Sequence, residues 1–246
     1  MDRVIKQLKK EIIQMAYQAQ EGHIPSAFSI LDILWVLYDR VLNKDYFILS
    51  KGQAALGLYV VLAEKKFFPK AWLNDFGKAK SHLGGHPDSR QVPGVVASTG
   101  SLGHGLPMAV GMAVGLKILK KKNKVYCLIG DGEANEGSIW EAAMLGAHHQ
   151  LNNLVCIVDY NHSSDRALNL GDLGEKFASF GWQIIEIDGH NHQEIEKALK
   201  LKTDKPLAII ARTIKGKGVE QLENNPAWHH RAPTKAEMEL ILKELN

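Results

Sequence analysis

The chain has 246 residues, with 30 Lys and Arg against 27 Asp and Glu for a formal charge of +3, and 45% of its residues are hydrophobic. This length and balance suit one α/β domain with a sizeable core, and they exclude a mini-protein held together by disulfides or a structural metal. The small positive excess does not predict an electrostatic surface for nucleic acid or membrane, so partners must be inferred from specific sites.

The N-terminal half is predicted to alternate helices with polar turns. Charged residues at helical spacing argue against a secretory signal peptide at the start, and no charge-free stretch is apolar enough to predict a membrane span. Gly111 and Gly115 lie on one face of the fourth helix, where small residues permit close packing. The predicted helices cover residues 2–19, 26–41, a segment ending near 65, and 106–121, with a short strand at 46–49.

From residue 124 onward, strands alternate with helices. The predicted strands lie near 125–129, 154–159, 183–187 and 207–212, and the helices between them near 136–150, 172–180 and 192–201. Repeated βαβ units with apolar strands predict a three-layer αβα fold with a mostly parallel sheet, forming a single domain over residues 1–246. Thr234 and Glu237 have the spacing of a capping box at the start of a last helix. Cys127 and Cys156 lie within apolar strands, so we expect free thiols in a reducing, cytoplasmic compartment.

The strand at 125–129 ends in Gly130-Asp131-Gly132, shortly before a helix. Free N–H groups at a helix N-terminus bind anions, and glycines let a phosphate approach the main chain. A Rossmann dinucleotide site is one interpretation, with Asp159 as the ribose-binding acid. Against it, Asn135 replaces the third glycine of that fingerprint, and Asp131 would repel a pyrophosphate unless a cation lay between them.

A second oxygen ligand for such a cation is expected just after the following strand, which lies near 154–159. Asn161 comes just after it, so we expect Asn161 beside Asp131 at the carboxyl edge of the sheet. A carboxylate, an amide oxygen and a nearby backbone carbonyl form an all-oxygen set that suits Mg²⁺, which takes further ligands from phosphate and water. The residues alone therefore predict a diphosphate bridged to the protein by Mg²⁺.

The segment GDGEANEGSIWEA at 130–142, in which 28 residues separate the second glycine from Asn161, resembles the thiamine-diphosphate motif of transketolases. Five further segments resemble transketolase motifs and occur in the same order. They are EGHIP at 21–25, LSKGQA at 49–54, GHPD at 85–88, STGSLG at 98–103 and AWHHRAP at 227–233. The resemblance extends from about residue 5 to residue 235 and implies the thiamine-diphosphate-binding fold.

The resemblance also implies which residues contact the cofactor. Asp131, Asn161 and the main-chain oxygen of Ser163 would bind Mg²⁺ or Ca²⁺, and Gly132 would touch the diphosphate. The remaining implied cofactor contacts are Gln53, Gly100, Ser101, Leu102 and Glu133. Ser101 can equally be the N-cap of the following helix.

Several histidines and one acid take catalytic roles in this resemblance. His23 and His86 match residues that hydrogen-bond the ketose hydroxyls and reacting oxygens, which makes them acid–base candidates. A further histidine maps to His229 or His230, and His229 is the better match. Glu136 matches an acid at the subunit interface that links the two cofactors of a dimer, although a first-turn Glu favoured by the helix dipole would look the same.

The implied activity is transketolase-type transfer of a two-carbon ketol unit from a ketose, or ketose phosphate, to an aldose, as in the pentose phosphate pathway and other carbohydrate metabolism. In full transketolases a pyrimidine-binding domain follows and completes this site, and residues 1–246 do not include it. We therefore expect an N-terminal subunit that is active only with a separate C-terminal subunit, in an α2β2 complex, with no nucleic acid or membrane partner.

Two positions depart from the usual pattern, and alternatives remain open. Gln53 stands where a His that meets the diphosphate is usual, and His104 stands where Gln is usual. The chain also suits another thiamine enzyme, such as a deoxyxylulose-phosphate-synthase-like protein or an oxo-acid dehydrogenase α subunit, or a transketolase for a specialised or nucleotide-linked sugar. A non-catalytic, cofactor-binding regulatory paralogue is the alternative from a different class.

Overall fold

The computed structural model describes residues 3–163 and 168–246, so residue 2 of the predicted first helix lies outside the described residues. The α-helices in these ranges are α1 Arg3–Ala19, α2 Ile24–Val36, α3 Ala55–Glu64, α4 Gly105–Ile118, α5 Gly137–His148, α6 Leu173–Ser179, α7 His192–Leu199 and α8 Lys235–Glu244. The strands are β1 Tyr46–Leu49, β2 Val125–Gly130, β3 Leu154–Tyr160, β4 Gln183–Asp188 and β5 Leu207–Arg212. Each predicted helix and strand is found within a few residues of its predicted position.

The strands of the described residues form one parallel sheet in the order β1-β2-β3-β5-β4. Because the pairing is parallel, the segments that follow the strands all emerge at one edge. β2 and β3 are in register at Gly130 and Asp159, which brings the ends of these two strands side by side. At the sheet's margin, β4 exposes Gln183, Glu186 and Asp188, so it is less completely covered than the other strands.

The two faces of the sheet bury separate apolar cores, which confirms the predicted three-layer αβα fold. Alternation along β2 sends Tyr126 and Leu128 into a core with α1, α2, α3, α7 and α8. Val125 and Cys127 point the other way, into a core with α4, α5 and α6. Cys127 and Cys156 are buried free thiols, as predicted.

Two helix starts differ from the predicted ones. α2 begins at Ile24 rather than Ser26, because Pro25 is tolerated in a first turn whose N–H groups lack helical partners. α4 begins at Gly105, so Ser101 is not its N-cap, and that prediction is wrong. The N–H groups of Gly103 and Gly105 are instead bound by the Glu133 carboxylate and the Ser50 hydroxyl, at 2.9 and 3.0 Å, which replaces a cap.

The last helix, α8, begins with the predicted capping box. Thr234 accepts a hydrogen bond from the N–H of Glu237, and the Glu237 side chain accepts one from the N–H of Thr234. None of the helices in residues 3–163 and 168–246 combines the length and apolar character needed to cross a membrane.

The outer face of α4 is uncovered in this chain. A Cβ added at Gly111 or Gly115 would meet no atom of the described residues within 4 Å, so the close packing predicted there is not found within the chain. α4 packs beside α5, and both helices carry apolar side chains that face solvent. The most exposed are Ile118 and the adjoining Leu119, at 72% and 68%, and Met144 and Leu145, at 49% and 51%.

Candidate functional site

Polar residues converge at the carboxyl edge of the sheet, where the segments after β1, β2, β3 and β5 meet. Asp131 lies directly after β2, and Asn161 and Ser163 follow β3. The Ser163 N–H donates to Asp131 Oδ2 at 2.9 Å and to Asn161 Oδ1 at 3.1 Å, and the Ser163 hydroxyl donates to Asp131 Oδ1 at 3.1 Å. The structure thus brings together the three residues predicted to bind a metal.

The Asp131 carboxylate is almost completely buried, and the chemistry of this cluster fits a small hard cation. Burial, and then the negative charge of Asp159, raise the pKa of Asp131, so a cation placed here would stabilise the ionised carboxylate. No group of three or more His, Cys, Asp or Glu side chains is arranged to hold a metal anywhere in the described residues. The oxygens at hand are one carboxylate, one amide and main-chain carbonyls, a set that leaves positions for phosphate oxygens and water.

Asp159 is fully buried at the end of β3 and is occupied by protein partners. Its carboxylate forms an ion pair with Lys51 Nζ at 2.5 Å, and accepts hydrogen bonds from Ser29 Oγ at 2.8 Å and Asn161 Nδ2 at 2.8 Å. The Thr213 hydroxyl also donates to it. Burial alone would raise the pKa of Asp159, but the charge of Lys51 lowers it below its usual range. A carboxylate held this way is not available to bind a ribose, which excludes the Rossmann interpretation.

Glu133 ties the loop before α4 to the Gly130-Asp131-Gly132 turn. The Ser50 hydroxyl and the Gly103 N–H donate to its Oε1, the latter at 2.9 Å, and the Gly130 N–H donates to Oε2 at 3.2 Å. Burial raises the pKa of this carboxyl. The side chain therefore points into the protein and holds the two loops together.

The predicted cofactor turn at 100–102 lies against the loop that carries His86. Gly100 has φ +144°, and a Cβ there would lie 2.9 Å from the imidazole Cδ2 of His86, so only glycine fits. Ser101 is exposed and Leu102 is partly buried. The structure thus places this turn next to one of the predicted acid–base histidines.

A cleft of about 180 Å³ lies beside this turn and holds most of the predicted catalytic residues. Its polar lining consists of Glu21, His23, Gln53, His86 and His230. The rings of His23 and His230 stack with centroids 4.1 Å apart. Burial, and then the neighbouring histidines, lower the pKa of His23 to about 3, so this imidazole is neutral at pH 7.

His229 and His230 face different clefts. His229 lines a cleft of about 400 Å³ together with Asn161, Ser163 and Lys215, while its ring also approaches His23, with centroids 5.7 Å apart. Lys215 Nζ lies 3.4 Å from His229 Nδ1. Burial, and then the charge of Lys51, lower the pKa of Lys215. Burial, and then the charge of Lys215, lower the pKa of His229.

Three other predicted positions have distinct surroundings. Gln53 Oε1 is buried with no hydrogen-bond partner in the described residues, so this acceptor is open to a donor on a bound molecule. Glu136 is exposed at the start of α5, and its side chain lies against Gly103, just before α4. His104 is exposed just before α4, and nothing in its surroundings indicates a role.

Sequence reasoning missed the basic residues of this site. Lys51 follows β1 and Lys215 follows β5, so the rule that located Asp131 and Asn161 also applied to them. A lone lysine after a strand is usually a solvated surface residue, so the sequence alone does not distinguish either lysine as a site residue. The cluster of buried Asp32 with partly buried His190 and His192 is not predicted either, and its signal in the sequence is a pair of histidines shortly after β4.

Comparison with known proteins agrees with this geometry. The family described as "Transketolase, thiamine diphosphate binding domain" matches residues 2–245. One of the subunits of the apulose-4-phosphate transketolase of Phocaeicola vulgatus is 36% identical over 256 residues, which cover 97% of this chain and 91% of that protein. Human transketolase is 40% identical over 254 residues, which cover 97% of this chain and 41% of that protein. The crystal structure of transketolase from Campylobacter jejuni has a TM-score of 0.91 at 30% identity, covering 100% of this chain and 43% of that chain.

The chain thus spans nearly all of a relative that is itself named as one subunit, and less than half of full-length transketolases. The fold and the transketolase-type transferase class implied by the motifs are confirmed. Similarity along nearly the whole of that separate subunit agrees with the expected N-terminal subunit of a split transketolase. The chain belongs to the transketolase family and corresponds to the thiamine-diphosphate-binding domain of its members.

Proposed function

We propose that this chain is the N-terminal subunit of a two-subunit transketolase that uses thiamine diphosphate and Mg²⁺ to transfer a two-carbon ketol unit. The observation that carries the proposal is the cluster of Asp131, Asn161 and Ser163 beside a cleft that Lys215 and His229 line. A metal-bridged diphosphate needs such a set of oxygen ligands, with a positive charge nearby to balance the phosphate oxygens.

In this proposal, each polar residue of the edge has one task. Asp131, Asn161 and the main-chain oxygen of Ser163 would hold Mg²⁺, while Gly132 would touch the diphosphate and the Lys215 ammonium would meet its oxygens. Thiamine diphosphate, when bound, supplies the carbon nucleophile and electron sink for breaking the bond beside a ketose carbonyl. Glu133 would keep the turn at 100–102 in place against the cofactor.

The histidine cleft is suited to proton exchange with a sugar. Because the pKa of His23 is far below 7, its imidazole is neutral and has one nitrogen to accept a proton and one to donate a hydrogen bond. His86 and His230 line the same small cleft and would contact the hydroxyls of a ketose. The unpaired Oε1 of Gln53 would accept a hydrogen bond from a bound molecule.

The assembly we propose is α2β2, with two copies of this chain and two of a C-terminal subunit that carries the pyrimidine-binding domain. The uncovered, apolar faces of α4 and α5 support contact between the two copies, and Glu136 is exposed at the N-terminal end of α5. A relative is named for apulose-4-phosphate, so we propose a phosphorylated sugar as substrate. Buried free thiols are in keeping with a cytoplasmic location.

The metal–diphosphate site is tested first on the purified chain, by its thermal unfolding with thiamine diphosphate and Mg²⁺. We expect a concentration-dependent rise in Tm, since a ligand at about 100 times its Kd adds about 2.7 kcal/mol. Asp131→Asn should abolish the rise, whereas Asp204→Asn, at an exposed turn, should keep it. A rise with NAD instead would contradict the proposal.

The activity is then tested by mixing the chain with its C-terminal subunit, the candidate being a pyrimidine-domain protein from the adjacent reading frame. Ketol transfer should appear in the mixture and in neither protein alone, and Asp131→Asn should remove it. A chain that transfers ketol units by itself would overturn the proposed division into two subunits, and a mixture that binds cofactor without turnover would favour the regulatory alternative.

A further inference from the structure

A second polar cluster lies outside the candidate site, between α2 and the segment that follows β4. Asp32, on α2, is buried and accepts hydrogen bonds from His190 Nδ1 at 3.0 Å and His192 Nε2 at 2.8 Å. Burial would raise the pKa of Asp32, but these two hydrogen bonds lower it to about 2, so the carboxylate is ionised at pH 7. The two histidines therefore share one buried charge.

The partners of His190 determine which of its ring nitrogens carries the proton. The N–H of Ile214 points at His190 Nε2 from 2.9 Å, so that nitrogen must be the bare acceptor. Nδ1 then carries the proton and donates a hydrogen bond to the Asp32 carboxylate. His190 thus connects a fixed negative charge on α2 to the main chain after β5.

The segment held in this way carries two side chains of the candidate site. Immediately before Ile214, the Thr213 hydroxyl donates to Asp159. Immediately after it, Lys215 lies beside His229 in the cleft of about 400 Å³, which we call the diphosphate cleft after the ligand proposed for it. The same segment is also tied to the start of α2, because the Gly216 N–H donates to Pro25 O at 3.1 Å. A change in the path of residues 213–216 would move both side chains.

We propose that His190 is a positioning residue, which holds residues 213–216 so that the Lys215 ammonium faces the diphosphate cleft. The identity of the ligand there rests on the proposed function, whereas the link from Asp32 through His190 to Ile214 does not. The role of His192 in this arrangement is to stabilise the same carboxylate.

Replacing His190 with an amide side chain can separate its hydrogen bond to Asp32 from the one that it accepts from Ile214. His190→Asn keeps a donor near the position of Nδ1, for Asp32, but is too short to accept from Ile214. His190→Gln is long enough to place its Oε1 near the position of Nε2 and accept that N–H. His192→Asn is the matched control, since it alters the other histidine that donates to the same buried carboxylate.

The first measurement is amide hydrogen exchange of residues 213–216 in the chain without ligand. We expect His190→Asn to speed exchange at Ile214 by about tenfold through loss of one hydrogen bond, and His190→Gln and His192→Asn to stay close to the wild type. A ¹⁵N NMR spectrum of the wild type should show His190 as the Nδ1–H tautomer. Equal exchange in His190→Asn and His192→Asn, or the opposite tautomer, would overturn the proposal.

The second measurement is the affinity for thiamine diphosphate with Mg²⁺, by calorimetry on the chain assembled with its C-terminal subunit. His190→Asn should weaken binding about tenfold and His190→Gln should restore most of it, while His192→Asn should lower Tm without a comparable loss of affinity. If no form binds the cofactor, the proposed function fails, and the exchange measurement still decides the role of His190. Weakening of equal size in His190→Asn and His192→Asn would show a merely structural effect and overturn the positioning role.

Discussion

At the scale of single residues, Lys51 has the largest predicted effect on stability. It neutralises Asp159 where both side chains are buried, and removing one partner of a buried pair leaves an uncompensated charge that costs about 3–5 kcal/mol. We expect Lys51→Met to lower the free energy of unfolding by that amount in urea denaturation. Lys200→Met removes an exposed pair with Glu196 and should cost less than about 1 kcal/mol.

A double variant isolates the charge from the loss of packing. Adding Asp159→Asn to Lys51→Met removes the unpaired carboxylate, so the double variant should be more stable than Lys51→Met alone. If Lys51→Met costs no more than Lys200→Met, Asp159 is not ionised in the folded chain, and the ion pair does not organise the edge of the sheet.

The residues that the sequence predicts are those with a local pattern. Asp131 and Asn161 each follow an apolar strand, and the parallel pairing of those strands brings them to one edge. Lys215 lacks such a pattern, because its position near His229 depends on how the chain folds back after β5. The stacking of His23 on His230 joins two residues from opposite ends of the chain, so no spacing rule predicts it.

At the scale of helices and strands, hydrophobic periodicity locates the elements but not their surroundings. α4 is apolar all round, a pattern typical of a buried helix, yet one face of it is open in this chain. A three-layer fold predicts strands covered by helices on both sides, whereas β4 lies at the margin of the sheet, which sequence does not reveal, and is partly exposed. The exposure of α4 and that of β4 both depend on which segments pack beside them, and these are not encoded in the helix or strand itself.

The open face of α4 and α5 leads to a prediction about assembly. If two copies of this chain meet there, Leu145→Lys should place a charge in an apolar contact and weaken dimerisation at least about tenfold, measured by sedimentation velocity. Leu240→Lys is the matched control, because Leu240 is comparably exposed on α8, in the opposite layer. Equal effects of the two substitutions would place the contact elsewhere.

At the scale of the whole molecule, the fold gathers titratable groups from distant segments, and their shifts add up to a pH dependence of stability. Five histidines from four segments line the two clefts, and burial lowers the pKa of His23 to about 3 and that of His229 below its usual value. In the unfolded chain the imidazoles of His23 and His229 regain ordinary pKa values near 6.5. The unfolded state therefore binds more protons than the folded state as the pH falls below about 6.5.

The sign of the effect follows from this difference. A group whose pKa is lowered by folding contributes stability that is present above its unfolded pKa and lost as the pH falls towards its folded pKa. We expect the free energy of unfolding to decrease from about pH 6.5 to about pH 5, a range above that in which Asp32, with a folded pKa of about 2, begins to matter. His23→Asn should flatten this slope in urea denaturation at several pH values, while His148→Asn, at an exposed position on α5, should leave it unchanged. An unchanged slope in His23→Asn would mean that folding does not lower the pKa of His23, which would contradict the burial of a neutral imidazole in the cleft.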